Sequence, residues 1–194
     1  MRIAPSLLIV LRLCIAVGLA VDAADGQVGF WFVPAFLIAV ISDILDGMIA
    51  RHLHIVTSHL RLLDSCADGL LYGIILFSIW RVHPLVLHIY LAPLLALLMT
   101  QVTSWMWCWC KFRRVTSYHS YLAKAWGLAL TWMTVRLFLW GESGWSMWLA
   151  IFLGMASHFE DALITGSLRR WTYDVPSILT VQRHHGVLPE REIA

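Results

Sequence analysis

At 194 residues, 60 % hydrophobic and only 13 % charged, with a mean hydropathy of +0.74 and 11 tryptophans, the chain lacks the polar surface of a soluble domain. The composition excludes a soluble enzyme and a basic nucleic-acid-binding domain, and it implies an integral membrane protein. The net charge of +2 defines no partner by itself.

At about 20 apolar residues per span, the chain holds some six transmembrane helices joined by short loops. The expected fold is all-α and polytopic, one transmembrane domain over 1–194 with a polar tail at 170–194. Met1 to Val21 starts like a signal peptide, but Arg12 interrupts the apolar run, so it reads as a retained first helix from Ser6 to Val21. An acidic loop, Asp22 to Gly29, follows. Helix two runs from Phe30 towards Arg51 and carries Asp43 and Asp46. Arg51 to Arg61 forms a basic turn, and helix three then carries Asp64 and Asp68 before running apolar to Trp80. Pro84 breaks the chain; helix four spans Leu85 to Trp107, helix five Tyr121 to Trp140 and helix six Trp145 to Ile164. The four cysteines, Cys14, Cys66, Cys108 and Cys110, read as small hydrophobes in or beside apolar runs, and Cys108-Trp-Cys110 is too little for a zinc site.

Alternating spans place Arg2, Arg51, Arg61, Lys111, Arg113, Arg114, Arg169, Arg170, Arg183 and Arg191 on one side, with Arg81 opposite. By the positive-inside rule both termini are then cytoplasmic. The same alternation puts all four aspartates at the cytoplasmic ends of helices two and three, open to soluble nucleotides.

Those aspartates need a counter-charge, because each carboxylate in a span costs roughly 2.5–3.5 kcal/mol or more. Asp43 and Asp46 are three residues apart and Asp64 and Asp68 four apart, so each pair projects from one helix face. Hard oxygen ligands on two adjacent helix ends suit Mg²⁺ or Mn²⁺, and a pair of such ions clamps both sides of an in-line phosphoryl displacement. Gly47 and Ala50 are small and allow close approach, while Arg51 can meet a diphosphate. The reaction class is transfer of a phosphate-linked group between two oxygens, with one aspartate left to deprotonate the acceptor. The competing reading is a set of intramembrane salt bridges to Arg12, Arg51 and Arg61. Arg12 itself reads equally as a snorkelling cation or a substrate-facing one.

The string D-x-x-D-G-x-x-A-R followed by D-x-x-x-D, with Asp43, Asp46, Gly47, Ala50, Arg51, Asp64 and Asp68 in place, resembles the signature of the CDP-alcohol phosphatidyltransferases. Pro5, Leu8 and Arg12 resemble that family's amino-terminal pattern, and Glu160 to Ser177 resembles its sixth helix and tail. The resemblance implies a six-helix membrane enzyme of phospholipid biosynthesis. It would pass a phosphatidyl group from CDP-diacylglycerol to a small alcohol acceptor and release CMP, with two Mg²⁺ or Mn²⁺ ions bound. Carried over, Asp43, Asp46, Asp64 and Asp68 are metal ligands, Asp68 is also the general base, and Gly47, Ala50 and Arg51 line the CDP moiety. A homodimer in the bacterial inner membrane, with the site facing the cytoplasm, is implied as well.

The chain is similar to the phosphatidylglycerophosphate synthases in particular, which makes glycerol 3-phosphate the leading acceptor. Arg113, Arg114 and Lys124 are the candidates to hold the acceptor phosphate, although a solvated positive-inside loop explains the first two as well. Two departures stand out: Leu60 occupies the family's second glycine position, and helix five keeps only Lys124 of a lysine-rich pattern. The alternatives are a small intramembrane divalent-metal transporter and a weakened or inactive family member. His52, His54 and His59 beside the acidic stretch, and His158, Glu160 and Asp161 on helix six, are polar clusters that loop and capping roles also explain. Trp105, Trp107 and Trp109 are denser than one interface belt requires.

Overall fold

The computed structural model describes residues 3–52, 58–114, 116, 118, 120–172 and 175–183. Within these, side chains 3–6, 46, 47, 49–52, 58–62, 64, 65, 182 and 183 stay outside the description. The described residues form seven α-helices and no strand: α1 Ile3–Asp22, α2 Phe32–His52, α3 Ser58–Val82, α4 Pro84–Phe112, α5 Tyr121–Trp140, α6 Gly144–Ser167 and α7 Ile178–Arg183. Of these, α4 and α6 are long and apolar enough to cross a membrane.

The helix ends extend the expected spans. Pro84 opens α4, a position that needs no helical N–H, and the helix continues through Pro93. It also runs past Trp107 to Phe112, since Cys108, Trp109, Cys110 and Lys111 carry no breaker. The bounds of α5 coincide with the expected helix five. Beyond α6, the segment expected as a polar tail contains α7. The chain divides into two compact units, Met1–Tyr90 with Thr134–Glu142, and Leu91–Met133 with Ser143–Ala194.

In the first unit α1 packs against α2 and α3. Its buried residues Ile9, Arg12, Ala16, Leu19 and Ala23 recur at alternating steps of three and four, a single stripe along the helix. On α2, Phe32, Phe36 and Ala39 make the matching stripe, and on α3 Ala67, Leu71, Ile75 and Ile79 do so. The α1–α2 turn uses Gly26 at φ +87°, where a side chain would be strained. Asp22 Oδ2 accepts the Gly29 N–H at 2.8 Å, and Arg81 donates Nη2 and Nε to the Ala24 carbonyl at 2.6 and 3.1 Å. Arg81 thus caps the turn with its guanidinium, and Arg136 pairs with Glu142 at the end of α5.

In the second unit the end of α6 is held by side chains from two other segments. Lys111 Nζ donates to the carbonyls of Thr165 and Gly166, both at 2.8 Å, satisfying acceptors that a helix C-terminus leaves without partners. Thr165 Oγ1 donates to Asp161 O at 2.8 Å, so its one hydrogen is used and Tyr118 O–H donates to it at 2.9 Å. Burial raises the Tyr118 phenol above its ordinary value, which keeps that donor protonated. Around it Ile164, Leu168, Val175 and Val181 form an apolar cluster, with Phe112 and Ile178 at its edge.

Gly154 on α6 receives the Trp126 indole and Leu97. A Cβ there would lie 2.7 Å from Trp126 Nε1 and 2.8 Å from Leu97 Cδ1, closer than real side chains approach. Gly154→Ala is therefore expected to destabilise the protein by about 1–3 kcal/mol. Thermal unfolding in detergent reads the loss, and the added Trp126→Leu substitution is expected to recover part of it. A Gly154→Ala protein as stable as the parent would show that this contact yields freely.

Candidate functional site

Three polar side chains interrupt the apolar seam of the first unit at one level. Arg12 follows Ile9 on the α1 stripe, Asp43 follows Ala39 at i+4 on α2, and Asp68 precedes Leu71 at i−3 on α3. Because each continues the buried face of its own helix, packing the three apolar stripes together brings the charges together. Arg12 Nη1 lies 2.6 Å from Asp68 Oδ1 and 3.0 Å from Asp43 Oδ1. The guanidinium side chain is 0 % exposed, whereas the two carboxylates are 36 % and 37 % exposed. One buried cation from α1 therefore holds acids from both α2 and α3, and the acids form the accessible side of the cluster.

Arg12 is fully buried and ion-paired. The ion-pair reading of the aspartates is thus realised at Asp43 and Asp68. Asp46, Gly47, Ala50 and Arg51 lie on α2, and Leu60 and Asp64 on α3, with side chains outside the described set. His52 and His59 share that limit, and His54 lies outside the described residues.

The described carboxylates fit a divalent ion by charge and by donor type. Among the described side chains of the cluster, two carboxylates face one guanidinium at a partly exposed position. Carboxylate oxygens are also the hard donors that Mg²⁺ and Mn²⁺ take. Among the described residues no group of three or more His, Cys, Asp or Glu side chains converges on a metal-sized site, at this cluster or elsewhere.

The remaining candidates belong to the second unit. Arg114 lies over the Trp171 ring, 4.8 Å from its centroid, and Lys124 over Tyr121 at 5.3 Å. Arg113 is exposed and sits at φ +54° just beyond α4. On α6, His158 is buried with neither ring nitrogen hydrogen-bonded; its Nδ1 stands 3.8 Å from Asp161 Oδ2, beyond a hydrogen bond. Trp126 meets that imidazole edge-on at 5.0 Å. Glu160 Oε1 accepts the Ile178 N–H at 3.3 Å, which ties α7 to α6. Of the cysteines, all free, Cys108 is buried and meets Tyr118 O–H, while Cys14, Cys66 and Cys110 are exposed rather than buried.

A model of CDP-alcohol phosphatidyltransferases matches residues 2–156, most of the chain and the whole of the paired aspartate cluster. The chain belongs to the CDP-alcohol phosphatidyltransferase family. No curated protein and no solved structure matches it. Family members are membrane-associated phosphotransferases for substituted phosphate groups, which transfer a phospholipid head group between a CDP-alcohol and an alcohol acceptor. The match stops before His158, Glu160 and Asp161. Arg12, weighed evenly from the sequence alone, is the residue whose importance the geometry raises most. Its legible signal was its step of three from Ile9 and four to Ala16 on an apolar face, where a snorkelling cation has no reason to keep register.

Removing Arg12 leaves two carboxylates in the seam without their shared cation. Arg12→Met is expected to cost about 2–3 kcal/mol, less than the roughly 3–5 kcal/mol for breaking a fully buried pair because the carboxylates are partly exposed. Arg12→Lys should recover some stability but not all, since an ammonium lacks the planar fork. Denaturation in detergent of both variants checks this, and an Arg12→Met protein as stable as the parent would contradict it.

Proposed function

We propose that this chain is a metal-dependent phosphatidyltransferase of phospholipid biosynthesis that uses CDP-diacylglycerol and a small alcohol, with glycerol 3-phosphate the leading acceptor. The observation that carries the reading is the convergence of Asp43 and Asp68, signature acids from two helices, on one guanidinium nitrogen. In the proposed reaction an acceptor oxygen bonds to the phosphorus that bears the diacylglycerol. The bond from that phosphorus to the CMP oxygen breaks, and CMP leaves with the electron pair. Asp68 takes the acceptor's proton. Asp43, Asp46, Asp64 and Asp68 would hold two Mg²⁺ or Mn²⁺ ions. Bound there, the ions would offset the charge on the phosphate oxygens and the leaving group. Gly47 and Ala50 would leave room for the CDP moiety and Arg51 would meet its diphosphate. Arg113, Arg114 and Lys124 would receive the acceptor's phosphate.

The proposal includes the membrane frame. The six helices α1 to α6 run 20, 21, 25, 29, 20 and 24 residues, each enough at about 1.5 Å per residue to cross a hydrocarbon core of about 30 Å. Cation placement favours both termini in the cytoplasm and the aspartates at that face. A single six-span domain in a bacterial inner membrane, assembled as a homodimer, completes the reading. Leu60 favours a second one, a family member weakened at its nucleotide pocket.

Purified protein given CDP-diacylglycerol, Mn²⁺ and a panel of acceptors is expected to release CMP, and to stop when the metal is chelated. The panel holds glycerol 3-phosphate, inositol phosphate, inositol, serine and phosphatidylglycerol. Asp46→Asn and Asp68→Asn should each lower the rate by about 100-fold or more. Full CMP release by either variant would sink the assignment. No release with any acceptor, followed by strong release from Leu60→Gly, would select the weakened relative; ion flux without CMP release would select a transporter.

A further inference from the structure

The end of the second unit where α4 and α6 finish carries three tryptophans and an arginine pair, Arg169 and Arg170, that the proposed reaction does not use. Trp105, Trp107 and Trp109 are all exposed on the last turns of α4. At about 100° per residue, Trp107 lies across the helix from the other two, so indoles stand on both of its sides. One turn further on come exposed Arg113 and Arg114, with the Arg113 N–H bonded to Trp109 O at 2.8 Å. The exposed pair Arg169 and Arg170 follows α6, and three contacts hold it at the same end. Lys111 binds the Thr165 and Gly166 carbonyls, Arg114 lies over Trp171, and the Tyr121 N–H bonds to Pro176 O at 3.0 Å. Every exposed charged side chain among the described residues of this unit is a cation; Glu160 and Asp161 are both partly buried.

We infer that this end is a binding collar for anionic phospholipid head groups. Indoles seat at the boundary between hydrocarbon and head groups, and cations one turn beyond them stand at the level of lipid phosphates. The arginines are spread over two separate turns, and Arg114 lies over the Trp171 ring. That arrangement meets a sheet of phosphates better than one enclosed small anion. It also accounts for the three tryptophans, because a collar that grips head groups needs its depth in the bilayer set on both sides of α4. The inference rests on the membrane frame proposed above and not on the reaction.

The test reads lipid retention with no CDP-diacylglycerol present, so that no turnover occurs. Full-length protein is exchanged into nanodiscs containing equal phosphatidylcholine and phosphatidylglycerol, then released in mild detergent and analysed by native mass spectrometry for the lipids it keeps. The parent is expected to keep phosphatidylglycerol in preference to phosphatidylcholine, and to lose that preference in 0.5 M salt, roughly. Arg169→Gln with Arg170→Gln, and the fourfold variant that adds Arg113→Gln and Arg114→Gln, should weaken retention by about fivefold for each arginine removed. The Arg→Lys versions should keep it. Equal retention of the two lipids by the parent, or full preference in the fourfold variant, would overturn the inference. So would displacement of the lipid by millimolar glycerol 3-phosphate, which would assign the arginines to a soluble phosphate. Lipid preference without CMP release leaves the collar standing and removes the proposed reaction; the reverse outcome does the opposite.

Discussion

The buried guanidinium of Arg12 is the constraint on which the first unit depends. Taking a cation fully out of water is costly, and the cost is met only if partners are fixed within hydrogen-bond reach. Here the partners come from two different helices, with Asp68 at 2.6 Å and Asp43 at 3.0 Å. A slip of one residue along any of the three helices turns its charge by about 100° out of the seam. Together with the apolar stripes, the ion pairs therefore give α1, α2 and α3 a single register.

In the proposed reaction the same pairing would prepare the aspartates for chemistry. A carboxylate that is to hold a divalent ion for a phosphate-bearing substrate has to be in place before that substrate arrives, or its orientation is settled at the substrate's expense. Arg12 supports Asp43 and Asp68 from the buried side, which leaves their exposed side towards solvent. Among the described side chains one positive charge faces two negative ones, and carboxylate oxygens held in this way are the hard donors that the proposed divalent ions would take.

Much of this was legible in the residues. Helix existence followed from runs of about 20 apolar residues, and α5 had bounds that coincided with the observed ones because Tyr121 and Trp140 are flanked by polar, turn-forming stretches. The end of α4 was harder to place, because the Trp-Cys alternation resembles an interface belt and hides a continuing helix. The brief helix α7 was hidden by the polar composition around it. Only contact with the cluster around Tyr118 shows why Val175 and Val181 are apolar. Spacing alone placed the acids on helix faces, and the family signature named them. The partner of Asp43 and Asp68 was less visible: Arg12 lies 31 and 56 positions away in the chain, and only the packing of stripes relates them.

Charge is thus handled in two opposite ways in one chain. In the first unit it is placed on the buried face of helices and matched side chain to side chain, which fixes geometry. In the second unit the described cations stand near or past helix ends, over aromatic rings or exposed, where on the proposed membrane frame they would fix depth and sidedness instead. Lys111 shows the transition: its ammonium is taken up by helix carbonyls, at Thr165 and Gly166, whereas Arg113 and Arg114 lie past the end of α4. The proposed reaction on lipids would need each device, because a well-made site is useful only at the depth where the lipid phosphate lies.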